Sequence, residues 1–577
     1  MTGHANTRSK GSITTIQRAH ILTVAVEDYF HASALNQLVP ERHRERMDSH
    51  VRKNTELALA LLDQFGVKAT FFVLAWVAER DPALVREIAA AGHEVASKGY
   101  ERKPFESHDE KSFREDVRRS KVILEQALGR RILGYRVPQG HIGARDLWAL
   151  RVLAEEGFTY DSSIYPRLGS LEGQNWRRFP HMHRDGDLRI TEFPLSAVGL
   201  PGLWIPAAGG NYFRQLPEPL MHAAFVMWHR RYTSPFNLYF NVWELDPELP
   251  HIATAGALSR IRQYRNLDRM PEIISHYLRH YRFTSIADHQ HWVQETLDAP
   301  PPLSVRITTK ARLAPSDGHQ QPVTIVVPCY DEERALGYLA CALEELVDHF
   351  RDKYSVRFVI VDDCSKDGTW AGLQSRFGSA EHFKLVRHEK NQGVAAAILT
   401  GIKAAETEIV CSMDADCTYD PRQLEKLIGM LDADVAMVTA SPYHRNGHVV
   451  GVPEWRLVLS RTLSKMYGLV LRHRFATYTA CFRAYRRSKV QDIELSNGGF
   501  LGVAEMLIKL DLRGHKLVEC PATLESRLLG KSKMKTLRTI RDHLGLLANI
   551  PKMKSDIHRE MAQSHAANKT GGQQEVS

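Results

Sequence analysis

An acidic stretch behind a predicted strand decides how the second half of the chain folds: EIVCSMDADCTYDP, residues 408–421. Its apolar beginning predicts a buried strand, and Asp414 and Asp416 follow at the strand end. Two carboxylates one residue apart offer hard oxygen ligands, which suit Mg²⁺ or Mn²⁺ bound together with a diphosphate. An isolated D-x-D pattern more often marks a solvated acidic turn, so the rest of the chain must decide between the two interpretations.

Three further apolar runs precede this stretch and predict strands: VTIVVP (323–328), RFVIV (357–361) and KLVR (384–387). With helical segments at about 333–350 and from Gly393 to about 405, the four strands are read as a βαβαβαβ order. This order predicts a parallel sheet with acidic loops at the carboxyl ends of the strands, where nucleotides bind in such folds. The glycine-rich phosphate fingerprint is missing, so we expect metal and cations to neutralise phosphate.

Five motifs, in order, make the second half resemble the family 2 glycosyltransferases over roughly residues 322–548. They are PCYDEE (328–333), VDDCSKDGT (361–369), NQGVAAAILTG (391–401), MDADCTYDP (413–421) and SRLLGKSK (526–533). The last one is similar to the R-x-x-G-x-S-K element of dolichyl-phosphate mannosyltransferases and bacterial polyprenyl-phosphate glycosyltransferases. The resemblance implies a nucleotide-sugar-binding α/β domain of the GT-A kind that transfers a hexose with inversion.

The same resemblance implies a set of site residues, with Mg²⁺ or Mn²⁺ at Asp414 and Asp416. The nucleotide sugar would be bound by Pro328, Tyr330, Glu332, Ile360, Asp362, Asp363, Asp414, Ala415, Asp416, Arg527 and Lys533. The implied catalytic set is Asp416, Glu505, Arg527 and Lys533. Asp331 stands where the family more commonly has Asn. Taken singly, Asp362 and Asp363 could simply cap the next helix, and Arg527 and Lys533 could be surface charge.

The resemblance leaves the donor open and favours one acceptor. GDP-mannose follows the mannosyltransferase resemblance, and UDP-glucose follows bacterial relatives. Polyprenyl phosphate is the expected acceptor, because its phosphate is ionised at neutral pH and needs no strong general base. If the acceptor is a sugar hydroxyl instead, a carboxylate such as Glu505 must act as the base.

A helical apolar pattern at 534–550 follows the last motif, with Met534, Leu537, Ile540, Leu544 and Leu547 on one face. A basic start favours an interfacial helix on anionic lipid over a helix docked on the core. Residues 549–577 are expected to form a polar tail. Access to a lipid acceptor then requires peripheral docking on the inner face of the membrane or a membrane partner protein.

Strand and helix patterns alternate in the first half as well and predict a parallel α/β barrel or sheet. Predicted strands are 21–26, 69–74, 94–97 and 132–136; helical segments are about 50–65, 82–91, 111–128 and 145–156. Chemistry in such folds sits at the carboxyl ends of the strands.

Motifs at those strand ends make residues 20–290 resemble NodB-like polysaccharide deacetylases, most closely the group associated with bacterial exopolysaccharide and exosortase loci. They are VEDYFH (26–31), KATFFVLAWVAE (68–79), GHEVASKGYER (92–102), GYRVP (134–138), YDSSIYP (160–166) and VWELDPELP (242–250). The resemblance implies a distorted (β/α) barrel, with a metal held by one Asp and two His, a carboxylate base and a late His acid.

Three of the implied positions hold the wrong residue for that chemistry. Asp28 matches the metal-binding Asp and Glu27 stands at the base position, but the two metal His are replaced by Lys98 and Arg102. The late His falls near Asn241. Cations cannot ligate zinc, so we expect Lys98 and Arg102 to replace the metal charge beside Asp28 in a salt-bridged cluster. The resulting degenerate site comprises Glu27, Asp28, Lys98, Arg102, Arg136 and Asn241; a relocated metal site would have to use His31, His108 and His141.

Composition and length bound the organisation. The 577 residues carry a net charge of +9, with 43% hydrophobic and 25% charged residues, which is ordinary for a multidomain globular protein. No nucleic-acid-binding motif, spanning apolar run or signal peptide is present, so the chain is expected in the cytoplasm. The predicted domains are a disordered arm (1–19), the deacetylase-like domain (20–295), a linker (296–321), the glycosyltransferase domain (322–548) and a tail (549–577).

The leading hypothesis is a metal-dependent glycosyltransferase fused to an inactive deacetylase-like domain without zinc. A bifunctional enzyme that also deacetylates a glycan is the first alternative. A non-catalytic scaffold for envelope-polysaccharide assembly is the second, and it requires that Asp416→Asn leave function in cells intact.

Overall fold

The computed structural model describes residues 18–36, 38–166, 175–200, 203–295, 297, 320–451, 454–530 and 536–571, and these form two compact units. The first unit contains the described residues up to 38, 49–249 and 255–297. The second contains the described residues from 320 onward together with two short segments, 39–48 and 250–254. The sequence placed both segments in the first domain. Most of the predicted arm and of the predicted linker lies outside the described residues, and so do residues 572–577 of the predicted tail.

The first unit is an α/β structure. Its strands are β1 Ala19–Val26, β2 Thr70–Val73, β3 Glu94–Ser97, β4 Gly134–Tyr135, β5 Tyr160–Asp161, β6 His181–Asp185, β7 Leu188–Glu192, β8 Ala197–Leu200, β9 Leu203–Pro206, β10 Asn237–Asn241 and β11 Arg282–Thr284. Helix α1, Glu41–Arg44, belongs to the second unit. The helices of the first are α2 Val51–Gln64, α3 Ala75–Arg80, α4 Pro82–Ala90, α5 Glu110–Leu128, α6 Trp148–Glu155, α7 Asn211–Gln215, α8 Glu218–Arg231, α9 Ala257–Tyr264, α10 Met270–His280 and α11 Ile286–Gln290.

The main sheet of this unit has the order β10-β1-β2-β3-β4-β5-β7-β6, with β11 also paired to β1. Pairing is parallel except between β6 and β7. In the described part of the chain no pairing joins β10 to β6, so the expected distorted barrel is an open one. Strand β1 is buried along nearly its whole length, as expected for a parallel strand covered on both faces. The parallel arrangement brings the carboxyl ends of β1, β3, β4 and β10 to one edge.

The second unit is built on a seven-stranded sheet. Its strands are β12 Gln321–Cys329, β13 Tyr354–Asp362, β14 Phe383–Arg387, β15 Ile409–Ser412, β16 Val435–Ser441, β17 His448–Val450, β18 Arg483–Arg486, β19 Lys516–Pro521 and β20 Thr523–Glu525. Its further helices are α12 Leu336–Phe350, α13 Thr369–Phe377, α14 Val394–Ala404, α15 Leu424–Gly429, α16 Glu454–Val470, α17 Arg487–Val490, α18 Phe500–Leu512 and α19 Thr536–Gly571. Strands β17 and β20 form a separate pair.

The strand order β14-β13-β12-β15-β18-β16-β19 creates a topological switch point between β12 and β15. The chain runs from β12 outward through β13 and β14, and then returns to place β15 on the other side of β12. These four strands are parallel, as predicted, while β18 runs antiparallel to β15 and β16. Ligands of open α/β sheets bind outside the carboxyl ends of the strands at such a switch point.

The last helix differs from the expectation in length and in the face that it buries. Helix α19 continues to Gly571 through Pro551, so it includes most of the predicted polar tail. Leu546 and Ile550 are buried in the main core cluster of this unit, whereas Leu544, a member of the predicted stripe, is 45% exposed. Around these residues α19 is a core-docking helix, which is the less favoured of the two interpretations of the sequence pattern. Among the described residues, every helix is too short or too polar to span a bilayer.

Candidate functional site

Three loops at the switch point of the second unit have strained backbones. Asp331, Cys364 and Cys417 follow β12, β13 and β15, and their φ angles are 49°, 59° and 52°. They are three of the five non-glycine residues with positive φ in the described chain. Left-handed backbone is costly for residues with a Cβ and persists where surrounding contacts impose it, often at functional sites.

Hydrogen bonds fix the first two loops to each other. The Asp331 amide donates to Ser365 Oγ (2.9 Å), and the Glu332 amide donates to Thr369 Oγ1 (2.7 Å). In return, the Lys366 amide donates to the Asp331 carboxylate (2.7 Å). The loops of the PCYDEE and VDDCSKDGT motifs therefore form one rigid rim beside β12 and β13.

The third loop carries the acidic pair, and Arg527 joins it to the first. Arg527 is ion-paired with Glu332, and its Nη1 lies 3.4 Å from Asp416 Oδ2. Asp416 also accepts a hydrogen bond from the Thr418 amide (3.1 Å). Arg527 and Glu332 are 195 residues apart in the sequence, and Asp416 lies between them. The fold brings all three side chains together.

The electrostatics of the acidic pair favour a cation. Burial, and then the charge of Asp416, raise the pKa of Asp414 above its ordinary value. The neighbouring Arg527 acts in the opposite direction but does not outweigh them. Two close carboxylates with one guanidinium beside them form a donor set that a divalent cation fits.

Asp362 and Asp363 have different surroundings. Asp362 is fully buried, with Arg387 Nε 3.0 Å from its carboxylate. Asp363 accepts hydrogen bonds from the Gln392 and Gly393 amides (2.8 and 2.7 Å) and contacts His388 Nδ1 at 2.8 Å. Asp363 thus fixes the loop before α14, whereas the structural alternative stated for this residue was a cap on the next helix, α13.

Glu505 is also occupied by its own surroundings. Its carboxylate accepts hydrogen bonds from the Ser496 and Asn497 amides (2.8 and 3.0 Å), and Lys509 Nζ lies 2.9 Å away. Burial acts to raise the pKa of Glu505, but these donors together lower it. The contacts are those of a residue that fixes the loop before α18, and a catalytic role for Glu505 stays a prediction.

The other predicted nucleotide-binding residues fall into three groups. Pro328, Tyr330 and Glu332 are half-buried at the rim, where a ligand can reach them. Ile360 is fully buried in β13 and Ala415 is 4% exposed, so Ile360 contributes to the core and Ala415 offers mainly its backbone. Lys533 lies outside the described residues.

One contact of the acidic loop was not expected from the sequence. Arg46, from the short segment 39–48, is 1% exposed and lies 2.9 Å from Glu345 and 3.4 Å from Asp420. Burial opposes the effect, but hydrogen bonding to Arg422 and the charge of Arg46 lower the pKa of Asp420 to about 2. Sequence separation hid Arg46, since nothing in its local pattern indicates this partner.

A groove of about 620 Å³ lies along α16 in the same unit. Its lining combines cations with apolar and aromatic groups: Tyr443, Arg461, Ser464, Lys465, Gly468, Leu469, Arg474, Phe475 and Ala476. No carboxylate is among these described lining residues. Val458, Leu469 and Val470 on α16 are 61%, 83% and 51% exposed. None of the sequence motifs indicates this groove, although its spaced cations and apolar residues are present in 458–475.

In the first unit, the strand ends gather the predicted degenerate site. Glu27 and Asp28 follow β1, Lys98 follows β3, and Arg136 follows β4. Lys98 and Arg102 both form ion pairs with the fully buried Glu27 carboxylate. Burial alone would raise the pKa of Glu27, but Arg102 and Lys98 outweigh it and hold the pKa below its ordinary value. Burial lowers the pKa of Lys98 to about 8.

The cation cluster is therefore centred on Glu27, whereas Asp28 has neutral partners. Asp28 accepts hydrogen bonds from Ser49 Oγ and from the Tyr29 and His50 amides. Burial raises the pKa of Asp28 to about 6 despite these donors. The expected pairing of the two cations with Asp28 is replaced by pairing with its neighbour, because the Glu27 side chain is the one that faces Lys98 and Arg102.

Five of the six degenerate-site residues line one cavity of about 680 Å³, and Asp28 does not. Arg136 donates to the Ser162 carbonyl (3.0 Å), Ser162 Oγ (2.8 Å) and Thr23 Oγ1 (3.0 Å). Asn241 donates to Glu244, which is ion-paired with the fully buried Arg214 at 2.8 Å. Both residues are thus integrated in the walls of the cavity.

No three His, Cys, Asp or Glu side chains in the described part of the chain come together as metal ligands. His31 is buried against Trp76, with ring centroids 5.0 Å apart, and His108 packs on Phe113. The structure does not bring His31, His108 and His141 together as a relocated site. A metal at Asp414 and Asp416 would need further oxygen ligands from its diphosphate.

Comparison with protein families assigns both halves. Residues 324–494 match the model described as glycosyl transferase family 2. Residues 47–160 match polysaccharide deacetylase, and residues 162–290 match DUF3473, a domain of unknown function. Glu505 and Arg527 lie beyond the matched glycosyltransferase range. The chain therefore carries a polysaccharide deacetylase-like domain followed by a glycosyltransferase family 2 domain.

Individual relatives match the second domain. A dolichol-phosphate mannosyltransferase of Pyrococcus furiosus is 30% identical over 243 residues, covering 41% of this chain and 66% of the relative, just under two thirds of its length. A polyprenol monophosphomannose synthase of Mycolicibacterium smegmatis is 28% identical over 221 residues, covering 37% of this chain and 81% of the relative.

A solved structure of glucosyl-3-phosphoglycerate synthase from Mycobacterium tuberculosis, with Mn²⁺, UDP and glucosyl-3-phosphoglycerate, is also similar. It has 15% identity and a TM-score of 0.30, and the match covers 40% of this chain and 79% of that one. At this level the similarity bears on neither donor nor acceptor.

Proposed function

We propose that the chain is a metal-dependent, inverting glycosyltransferase that moves a hexose from a nucleotide sugar to polyprenyl phosphate. The observation that carries the proposal is the cluster of Asp414, Asp416, Glu332 and Arg527 at the switch point of the sheet. A nucleotide diphosphate placed there would meet metal-binding carboxylates and a fixed guanidinium. The names of the two mannosyl-transferring relatives support a lipid phosphate acceptor.

Asp414 and Asp416 would hold Mg²⁺ or Mn²⁺. When bound, the cation would neutralise the diphosphate and stabilise the charge that develops on the leaving group. Arg527, held by Glu332, adds a second positive charge beside the same group without needing to reorganise. The rigid rim of Asp331 and Glu332 would keep the donor in one orientation for in-line attack.

The groove along α16 supports a lipid phosphate as acceptor. Arg461, Lys465 and Arg474 could bind an ionised phosphate, while Leu469 and Phe475 offer apolar surface to an isoprenoid chain. Tyr443 of the groove lies close enough to Tyr419 of the acidic loop to interact with it electrostatically. A phosphate nucleophile needs no base, which agrees with a groove whose described lining contains no carboxylate.

A sugar hydroxyl acceptor is less well supported. It would need a base, and the Glu505 carboxylate is already occupied by amides and Lys509, which lower its pKa. A carboxylate with a lowered pKa is a weak proton acceptor at neutral pH.

For the first domain we propose loss of deacetylase activity. Lys98 and Arg102 occupy the positions of the metal-binding His and neutralise the Glu27 carboxylate that would act as base. This arrangement fits no zinc ion, since the Lys98 ammonium and the Arg102 guanidinium would repel it. The bifunctional alternative predicts acetate release from acetylated glycans together with zinc bound at Asp28.

The test is a donor screen with the purified full chain, Mn²⁺ and a short polyprenyl phosphate in detergent, with products identified by mass spectrometry. We expect a hexosyl phosphoryl lipid from GDP-mannose or UDP-glucose and no product after chelation. Absence of transfer from every nucleotide sugar tested, with metal present, would overturn the proposal.

Two variants separate acceptor binding from general charge effects. Arg461→Gln removes a cation that lines the groove, and we expect the KM for lipid phosphate to rise about tenfold while the KM for donor is unchanged. Lys489→Gln removes an exposed cation of the same unit that does not line the groove, and it should change neither constant. Equal effects of both variants would remove the groove from the proposal.

A further inference from the structure

The cavity at the strand ends of the first unit is built to receive a ligand, although its metal-binding His are replaced. Its volume of about 680 Å³ lies within the range of roughly 300–1,000 Å³ that is typical of ligand pockets. Its walls come from the ends of β1, β3, β4 and β10 and from α7 and α9. We propose that this cavity binds a sugar that carries an anionic group, either a uronate or a phosphorylated sugar.

The charge of the lining carries the argument. Five cationic side chains line the cavity (Lys98, Arg102, Arg136, Arg214 and Arg262), against one lining carboxylate, Glu27, among the described residues. Glu27 is shared by Lys98 and Arg102, and Arg214 is paired with Glu244 behind the wall. The lining therefore has a clear excess of positive charge.

Two of these cations, Arg136 and Arg262, form no ion pair with a carboxylate among the described residues. Arg136 is 5% exposed and donates only to the neutral oxygens of Ser162 and Thr23. Arg262, at the exposed side of α9, forms no ion pair with any described residue. Burial lowers the pKa of Arg136 to about 10, and the nearby Asp161 and Glu192 do not offset the burial. An anionic ligand in the cavity would compensate the buried charge.

The aromatic groups of the lining indicate the rest of the ligand. Tyr212 and Tyr239 are half-buried and line the cavity, and Trp243 lies beneath the Arg214 guanidinium at 5.0 Å. The Trp243 indole N–H is buried and has no hydrogen-bond partner. Flat aromatic faces beside unused donors suit a ring that is apolar on its faces and polar at its edge, which is the character of a sugar.

This inference concerns the first unit and does not depend on the proposed transferase reaction. It also does not require deacetylation, because a sugar can be bound without a metal. The cavity would serve to hold a sugar that carries an anionic group. Binding of a neutral glycan with equal affinity would contradict the inference.

The test is titration of the full chain with defined sugars, followed by calorimetry or ligand-observed NMR. The probes are a glucuronate-containing hyaluronan tetrasaccharide, the neutral chitotetraose and glucose 6-phosphate. We expect at least one anionic probe to bind about tenfold more tightly than chitotetraose, and to weaken as NaCl is raised. The carboxylate and phosphate probes show which anion the cavity prefers.

Matched variants on α9 locate the binding. Arg262→Gln should weaken the anionic probe about threefold or more, whereas Arg260→Gln, an exposed cation of the same helix outside the cavity lining, should leave the affinity unchanged. A chain with Asp414→Asn and Asp416→Asn should still bind the probe, which separates this cavity from the nucleotide site. Equal affinity for chitotetraose, equal effects of the two α9 variants, or no binding of any probe by folded protein would each overturn the inference.

Discussion

Two pairs of carboxylates stand at the ends of parallel strands in this protein, and their neighbours give them opposite properties. Glu27 and Asp28 follow β1, while Asp414 and Asp416 follow β15. Glu27 is neutralised by two cations, and Asp28 is buried among neutral donors. The second pair has one guanidinium 3.4 Å from Asp416, and the pKa of Asp414 is raised.

On the proposed assignment, an acidic strand end is not by itself a metal site. What decides is the charge that the rest of the fold places around the carboxylates. In the first unit, Lys98 follows β3 and occupies the position where a metal ligand would be needed. In the second, the nearest cation is held partly by Glu332, which leaves the Asp414 carboxylate without a full counter-charge.

The largest effect is expected from Glu27→Gln. The substitution leaves Lys98 and Arg102 buried beside a neutral amide, and breaking a buried pair in this way costs about 3–5 kcal/mol of unfolding free energy. The loss should appear in denaturant-dependent hydrogen exchange of peptides that cover β1, and not in the second unit. The control is Glu115→Gln, an exposed residue of α5. A β1 stability equal to that of the control would show that the cluster does not hold this carboxylate.

Asp416→Asn should reduce hexose transfer about 10²- to 10³-fold, because it removes a proposed metal ligand and its charge at the leaving group. Asp432→Asn, an exposed carboxylate of the same unit, is the matched control and should keep full activity. Steady-state transfer assays at saturating Mn²⁺ measure both. Activity of Asp416→Asn within tenfold of the parent chain would favour the scaffold alternative.

Glu505→Gln distinguishes a positioning residue from a base. We expect the stability of the second unit to fall by about 1–3 kcal/mol, since two amides and Lys509 lose their charged acceptor. The pH profile of kcat should keep its shape. Glu494→Gln, on the exposed side of the same loop, serves as control. A hundredfold loss of kcat with unchanged stability would instead identify Glu505 as a base for a hydroxyl acceptor.

The smallest effect is the pH dependence of the Glu27 cluster. Because Arg102 and Lys98 hold the pKa of Glu27 below its ordinary value of 4.5, the native state binds fewer protons than the unfolded state near that pH. The contribution is therefore complete above pH 4.5 and is lost as the pH falls below it. Acid titration of stability should show a steeper loss for the parent chain than for Glu27→Gln. Parallel curves would contradict the assigned ion pairs.

Much of the fold was predictable, because buried parallel strands are nearly continuous apolar runs. Strand β3 was predicted at its observed bounds, and β1, β2, β12 and α5 were predicted within two residues or so at each end. Antiparallel β18 and the segments 39–48 and 250–254 were missed. Their placement depends on long-range contacts, such as that of Arg46 with Asp420, which leave no local pattern.

The sequence predicted part of the clustering of the site residues but not their detailed contacts. Parallel topology brings the loops of Glu332 and Asp416 to one edge of the sheet, whereas Arg527 follows β20 of the separate β17–β20 pair. The sequence could not show that Glu27, and not Asp28, faces Lys98 and Arg102, because adjacent residues after a strand point in different directions. It also could not show that Leu546 and Ile550, one register away from the expected stripe, bury α19.

The most direct test of the central claim is to count bound metal at the two acidic pairs. Purified chain should bind one Mn²⁺ in the presence of a nucleoside diphosphate, measured by electron paramagnetic resonance, and carry no stoichiometric zinc. Asp414→Asn with Asp416→Asn should abolish Mn²⁺ binding, while Asp28→Asn should leave it unchanged. Stoichiometric zinc that disappears in Asp28→Asn, or Mn²⁺ that persists without Asp414 and Asp416, would contradict the account.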